Sequence, residues 1–541
     1  MKDLVLRCAL QNAVRYHGKA TVSSVLGLVF ALDSALDKKK VVEEVTALVP
    51  KINAMRLEEQ QRQLKKLGEI TKKRVVKKEH LLEQVRGDVV MRFAPNPNGA
   101  MSFGHSRVAL WNWFFVRRYK GQYILRFDDT DPRIKVPLKE AYGWFKEDLK
   151  WLGIKPHKIV IQSKRLKTYY TYAEKLIQKG YAYVDTVPAE KMRSLLQKQL
   201  ISDERNEPPD VALKKWKKMF TSYKEGEAVL RIKTDIMHPN PAVRDWVAFR
   251  IIRKHKHPLT KARVWPLLNF SSAIDDHDFG VTHILRGSDL EISDIRQQYI
   301  YDYFGWTYPV TRYNGKFLIS GIKSTSETNE LIKEGKISGW DDPRLGTLRA
   351  LRRRGFQAEA LVQFIKDQGI GKNDMNVNIS SLEAYNRNII DKKAKRYFFV
   401  ENPTKIRVKY NAIKEVSVPL HPDFPKMGQR KFKVSDEFYV QDEIIWDTVY
   451  RFMHLFNVKN NEVISKDPDP NLKAKPIHWL PVSQDLVTVE VVMPDYSLKR
   501  GLGEAGLLHV KINQNIQFER FGYVRCDKKT KKTMTFYFTH K

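Results

Sequence analysis

Two adjacent residues, Gly104 and His105, stand where an extended stretch gives way to a helical one. The start of a helix offers unpaired N–H groups and a partial positive charge, which suits a phosphate. A glycine lets a nucleotide come close to the backbone. A histidine there can donate a hydrogen bond to a phosphate as charge builds in a transition state. By itself a Gly-His pair is equally a plain helix start with a surface histidine. Asp128 follows a second strand-like stretch, at the end where open α/β sheets bind ligands. Arg92 and Arg286 each end or border a strand-like stretch. An arginine carries a planar fork that matches a carboxylate.

The elements that must position these residues are legible in the surrounding pattern. Val89–Ala94 is strand-like, and a Pro/Asn/Gly turn follows. A helical pattern then runs from His105 to Arg118, with Val108, Trp111, Phe114 and Phe115 on one side. A second strand, Tyr123–Phe127, leads into the acidic loop DDTDP. Strand, turn, helix and strand in this order form a βαβ unit, the start of a parallel sheet. A second α/β block follows at Val281–Arg286, with a helix through Tyr303. Between the blocks lies an insertion with the strand-like Val229–Asp235 and the turn His238–Trp246.

The rest of the chain divides by pattern. The predicted domains are an N-terminal helical domain over 1–85, a Rossmann-type sheet in two halves at 86–185 and 263–330, and an α+β insertion at 186–262. A helical connector over 331–395 and an all-β barrel domain over 396–541 complete the set. The β assignment rests on short alternating stretches such as KIRVKY and LVTVEVVM. The basic run Lys65–His80 reads as a solvated helix or linker. Val22–Leu36 is apolar but interrupted by Ser, Gly and Asp, so it reads as a core helix.

With 541 residues the chain exceeds one compact core. It carries 96 Lys and Arg against 62 Asp and Glu, a formal charge of +34. Such an excess suits a polyanion, because each neutralised phosphate releases a counterion. Two distant cysteines, Cys8 and Cys526, exclude a disulfide framework and a multi-cysteine zinc site. No apolar run reaches the ~18 residues needed to cross a membrane. The chain therefore reads as cytoplasmic, with no membrane partner.

The motifs combine into a resemblance. Arg92–Arg107 (RFAPNPNGAMSFGHSR) resembles the ATP-binding segment of class I aminoacyl-tRNA synthetases that ends in the "HIGH" motif. The match is to the glutamyl/glutaminyl branch in its archaeal form. Leu125–Arg133, Ile274–Gly287 and Ser338–Arg354 match the same branch in the same order. The resemblance implies that Pro95, Asn96, Pro97, Asn98, Gly99, Ser102, Phe103, Gly104 and His105, with Lys323 and Ser324, bind ATP. It implies that Arg92, Ala94, Asn96, Asp128, Leu268 and Arg286 bind glutamate. Asp128 would hold the α-amino group, and the two arginines the side-chain carboxylate. Asp129 and Asp131 would brace their loop. Arg286 favours glutamate over glutamine, since neutral glutamine would leave its charge unpaired. The implied activity attaches glutamate to tRNA with ATP and Mg²⁺. The tRNA is that for glutamate, with glutamine tRNA left open as a second acceptor. A glutaminyl enzyme of the same fold and a non-catalytic tRNA-binding paralogue are the alternatives.

Three positions depart from the family pattern. Ser102 replaces the first histidine of the HIGH motif. Leu268 stands where relatives carry a tyrosine that contacts the amino acid. In the second ATP motif, the "KMSKS" loop, the catalytic lysine aligns with Glu327, and Lys323 supplies the charge in a shifted register. The family's cysteine-rich zinc knuckle has no cysteine at Ala182–Pro188, so no zinc is expected.

Overall fold

The computed structural model describes residues 1–16, 18–33, 36–68, 80–319, 325–409, 415–441, 447–483 and 485–541. The chain separates into two units, Met1–His80 and Leu81–Lys541.

The first unit is built from four helices, α1 (Lys2–Arg15), α2 (Val22–Leu32), α3 (Lys38–Asn53) and α4 (Leu57–Leu67). Apolar residues three or four apart give α3 one buried face, Val41, Val45, Val49 and Ile52. That face meets Val5, Cys8 and Ala9 of α1 and Val25 and Val29 of α2. The interrupted apolar stretch is thus a core helix. The Asp37 carboxylate caps α3 by accepting from the N–H of Lys39 at 2.9 Å. Most of the basic run Lys65–His80, residues 69–79, lies outside the described residues.

The second unit opens with β1 (Val90–Phe93), α5 (Phe103–Arg118), β2 (Gln122–Phe127), α6 (Ala141–Trp151), β3 (Lys158–Ile161) and α7 (Leu166–Gln178). A side branch follows, with β4 (Ala182–Asp185), α8 (Ala189–Gln197), α9 (Pro209–Thr221), β5 (Val229–Ile232), β6 (Val247–Ile251) and β7 (Val264–Pro266). Its four strands form their own antiparallel sheet in the order β4-β5-β6-β7. The chain then returns through α10 (Leu268–Asp278), β8 (His283–Gly287), α11 (Glu291–Phe304) and β9 (Val310–Asn314).

The main sheet has the order β3-β2-β1-β8-β9, and every neighbouring pair is parallel. The chain winds outward one way from β1 and resumes on the other side at β8. Ligands of such sheets bind at that reversal, outside the carboxyl ends of the strands. Met91, Phe93, Leu125 and Phe127 pack against Leu110 and Phe115 of α5 and Phe145 and Leu149 of α6. This core fixes where β1 and β2 end, and hence where their polar ends point.

Beyond β9 come β10 (Phe317–Ile319), α12 (Thr325–Lys333), α13 (Leu348–Arg354), α14 (Ala358–Gln368), β11 (Met375–Val377) and α15 (Ile379–Ile390). The stretch predicted as helical from Trp340 therefore contains one strand. β11 pairs in parallel with β10, a long-range partner that local periodicity does not reveal. After residue 396 the chain is β-rich. A seven-stranded sheet buries Val489, Val491, Phe518, Val524 and Phe536. Smaller sheets share a second core around Phe438, Phe452, Phe456 and Trp479. The strand Gln429–Lys433 shows why the alternation was readable, since its buried and exposed residues alternate strictly. Among the described residues no helix is long and apolar enough to cross a membrane.

Candidate active site

The segment after β1 is tied down at nearly every residue. The carbonyl of Pro95 accepts from the N–H of Asp128 at 3.0 Å, and Asn96 Nδ2 donates to the Asp128 carbonyl at 2.7 Å. The Pro97 carbonyl accepts from the N–H of Leu138, and the Asn98 carbonyl from Asn329 Nδ2 at 3.0 Å. Gly99 lies against Trp340 and Thr325 so closely that an added Cβ would come within 2.4 Å of the Trp340 ring. The turn thereby joins the Asp128 loop to α12.

Helix α5 begins at Phe103, two residues earlier than the sequence predicts. The reason is a reciprocal cap. Ser102 Oγ accepts from the N–H of His105, and His105 Nδ1 accepts from the N–H of Ser102. Ser102 is therefore the cap, and Gly104 and His105 fall inside the first turn. With Nδ1 accepting, the imidazole proton sits on Nε2. Burial, with Lys135 adding to it, pushes the His105 pKa down to about 4, so the ring is neutral near pH 7. A Cβ on Gly104 would meet only Ser102 Oγ at 3.7 Å, so this glycine is not required by packing. The family segment near Trp340 closes over the same turn. Phe103 N–H donates to the Gly346 carbonyl at 2.9 Å, and Leu348 N–H to that of Met101 at 2.8 Å.

At the sheet reversal the charged residues form one buried network. Its hub is Arg126, the penultimate residue of β2 but one side chain among apolar neighbours. Arg126 Nε donates to Asp128 Oδ1 at 2.7 Å, Nη1 to Asp276 Oδ1 at 2.6 Å, and Nη2 to Ser272 Oγ at 3.0 Å. Arg92 Nε reaches the same Asp276 oxygen at 3.1 Å. Burial raises the cost of charge on Asp276, but Arg92, Arg126 and Arg286 outweigh it and hold that carboxyl below its ordinary range. Asp275, with Oδ2 3.9 Å from Arg126 Nε, accepts from Arg165, Tyr169 and Gln162. Arg286, at the end of β8, donates through one terminal nitrogen to Asp294 and through the other to Gln297 at 3.0 Å. Among the described residues no acceptor reaches its buried Nε, and no donor reaches the buried Asn96 Oδ1 or Asn269 Oδ1.

The structure therefore brings Arg92, Asp128 and Arg286 into one electrostatic neighbourhood, with each already paired. Asp129 and Asp131 do brace their loop. Asp129 accepts from Tyr142 and Ser163, and Asp131 from the backbone of Arg133 and Ile134. Leu268 opens α10, the helix whose far end carries Asp275 and Asp276; its side chain is 42% exposed and adds no donor. Ala94 links β1 to the turn. Lys323 and Ser324 lie outside the described residues. Glu327 sits in the first turn of α12, where a negative charge suits the helix dipole. Sequence reasoning missed Arg126, Asp276, Asp294 and Gln297. The first two left a signal: a charged residue inside an apolar strand, and a carboxylate pair inside a helix of small and apolar residues.

Comparison with known proteins shows the family. The family described as tRNA synthetases class I (E and Q), catalytic domain, matches residues 88–392. Two descriptions of the anti-codon binding domain of these synthetases match residues 394–476 and 476–527. The chain is 43% identical to the glutamate–tRNA ligase of Pyrococcus furiosus, over 100% of both chains. It is 43% identical to that of Thermococcus kodakarensis, again over 100% of both. It is also 43% identical to that of Methanocaldococcus jannaschii, over 98% of each.

Proposed function

We propose, for a chain that belongs to the class I tRNA synthetases of the glutamate and glutamine branch and joins glutamate to tRNA, that the sheet reversal is where glutamate is activated. The observation that carries this reading is the convergence of Arg92, Asp128 and Arg286 around the Arg126–Asp276 pair, at the carboxyl ends of β1, β2 and β8. Asp128 takes the α-amino group, and the arginines take the side-chain carboxylate. A glutamate side chain gives these arginines a further charged acceptor, and a neutral glutamine gives only a weaker one.

The chemistry asks for positioning and charge stabilisation. A glutamate α-carboxylate oxygen attacks the α-phosphorus of ATP, and the bond to the β-phosphate bridging oxygen breaks, releasing pyrophosphate. A terminal ribose hydroxyl of tRNA then attacks the carbonyl carbon, and AMP leaves. ATP lies along Pro95–Gly99 and Ser102–His105, where His105 donates from Nε2 to the phosphates and Gly104 leaves room for them. Lys323 and Ser324 serve the triphosphate from the loop before α12. Magnesium arrives as part of the ATP substrate, and zinc has no part. Leu268 lines the amino-acid side beside Ala94 and Asn96. We read the insertion as the part that meets the acceptor end of tRNA, and the β-rich end as the anticodon reader. The protein works in the cytoplasm.

The test is to charge purified glutamate tRNA and glutamine tRNA in parallel with labelled glutamate and labelled glutamine. Glutamate should be attached to its own tRNA. Attachment of glutamine alone would sink the assignment of the pocket.

A further inference from the structure

We infer that Asp294, in the first turn of α11, is a positioning residue that sets how strongly and how selectively the site takes glutamate, by holding Arg286 from behind. The inference rests on the reading of Arg286 as the receptor for the side-chain carboxylate.

Arg286 does not stand alone at the end of β8. One terminal nitrogen donates to Asp294 Oδ1 and the other to Gln297 Oε1 at 3.0 Å. Asp294 is itself fixed by three hydroxyls. Tyr308 donates to its Oδ1 at 2.7 Å, Thr311 to the same oxygen at 3.4 Å, and Tyr313 to its Oδ2. The Tyr308 hydroxyl also lies 2.9 Å from Gln297 Oε1, so both acceptors belong to one frame. The frame comes from α11, from Tyr308 just before β9, and from β9 itself, the strand paired with β8 so that Arg286 faces Tyr313 in register.

The arrangement has a directional consequence. The two terminal nitrogens are occupied on the α11 side. The Nε–H, on a residue only 6% exposed, has no acceptor among the described residues. A carboxylate binding side-on to Arg286 would take that hydrogen together with one on an adjacent nitrogen. Arginine has a long flexible stem, and its rotamer freedom must be removed before binding is selective. The nearest competing pull is known: Asp276 already lies in the field of Arg286 and accepts from Arg92 and Arg126. Without Asp294, the guanidinium is free to turn toward Asp276, and its Nε–H is no longer held in one direction for a substrate carboxylate.

The experiment is steady-state pyrophosphate exchange, with glutamate tRNA present, and charging by the full chain, with D294A, D294N, Y313F, R286A and the double variant R286A/D294A. D294A should raise KM for glutamate about tenfold, with kcat and KM for ATP changed less than about threefold. Its preference for glutamate over glutamine should fall in parallel. D294N and Y313F, which keep the side-chain shape, should move the same quantities in the same direction by smaller factors. Adding D294A to R286A should change KM for glutamate less than about twofold, because a positioning residue has nothing left to position. A merely structural role would shift KM for ATP and melting temperature as well, and would add to R286A. If R286A raises KM for glutamate while D294N and Y313F do not, the inference is overturned and the reading of Arg286 stands. If R286A itself leaves KM and amino-acid preference unchanged, the reading of Arg286 fails first.

Discussion

Ser102 and His105 cap the same helix for each other, the serine hydroxyl taking the histidine N–H at 3.2 Å and the histidine Nδ1 taking the serine N–H at 3.3 Å. The exchange decides which ring nitrogen carries the proton, and so which end of the imidazole can meet a phosphate. Because burial holds the pKa at about 4, His105 donates as a neutral ring across the physiological range. The pyrophosphate-exchange rate of the wild type should show no ionisation of this residue between about pH 6 and 9. A rate that climbs as pH falls through 6.5 would mean the ring must be charged. H105A should lower the rate about a hundredfold, the usual loss for one phosphate or oxyanion donor.

Two glycines of the ATP segment should fail in different ways. G104A meets only Ser102 Oγ at 3.7 Å and replaces a helical glycine, so it should keep or raise stability by up to about 1 kcal/mol. Its cost should appear as a higher KM for ATP. G99A drives a methyl to 2.4 Å from Trp340 and 2.8 Å from Thr325, so it should lower the melting temperature and weaken exchange together. Thermal unfolding beside ATP titration separates the two.

D276N should destabilise strongly, by about 3–5 kcal/mol, because it strips the shared counter-ion from buried Arg92 and Arg126. Urea unfolding measures it. A loss under about 1 kcal/mol would show that Asp128 and Asp275 carry the arginines by themselves.

Three buried histidines should each withdraw stability in mild acid. His105, His478 and His540 are each pushed down to about 4, with burial the leading cause. A histidine whose pKa falls on folding binds its proton more readily in the unfolded chain. Its contribution to stability is therefore complete above about 6.5, and it is lost as pH falls from 6.5 toward 4. Buried Asp148 and Glu504, each pushed up to about 7, act in the opposite sense over the same window, so unfolding free energy at closely spaced pH values is compared between wild type and H540N. H540N should flatten the slope; an unchanged slope would remove this histidine from the cause.

The parallel sheet, the insertion and the β-rich end were legible because their signals are local. Alternation in Gln429–Lys433 and the apolar run of Gln122–Phe127 follow from which face each strand buries. Arg92, Asp128 and Arg286 were legible because they sit in or beside short motifs. Their partners were not. Arg126 pairs with Asp276 across 150 residues, and nothing near either residue names the other. β11 hid within a helical stretch because its only strand neighbour among the described residues, β10, lies far back along the chain. The start of α5 lies two residues before the predicted one because the cap that sets it, Ser102 paired with His105, precedes the apolar periodicity. Asp294 lay outside every motif, and only the pairing of β8 with β9 brings its hydroxyl frame to Arg286.

The side branch between β3 and β8 has a consequence for descent. Val90 and Thr282 are 192 residues apart, yet the N–H of one donates to the hydroxyl of the other at 3.0 Å. The branch leaves after β3, at one edge of the sheet, and the chain re-enters at β8, beside β1, where this contact ties the two strands together. The branch has its own antiparallel sheet, so it can differ in length between lineages without shifting the ends of the parallel strands.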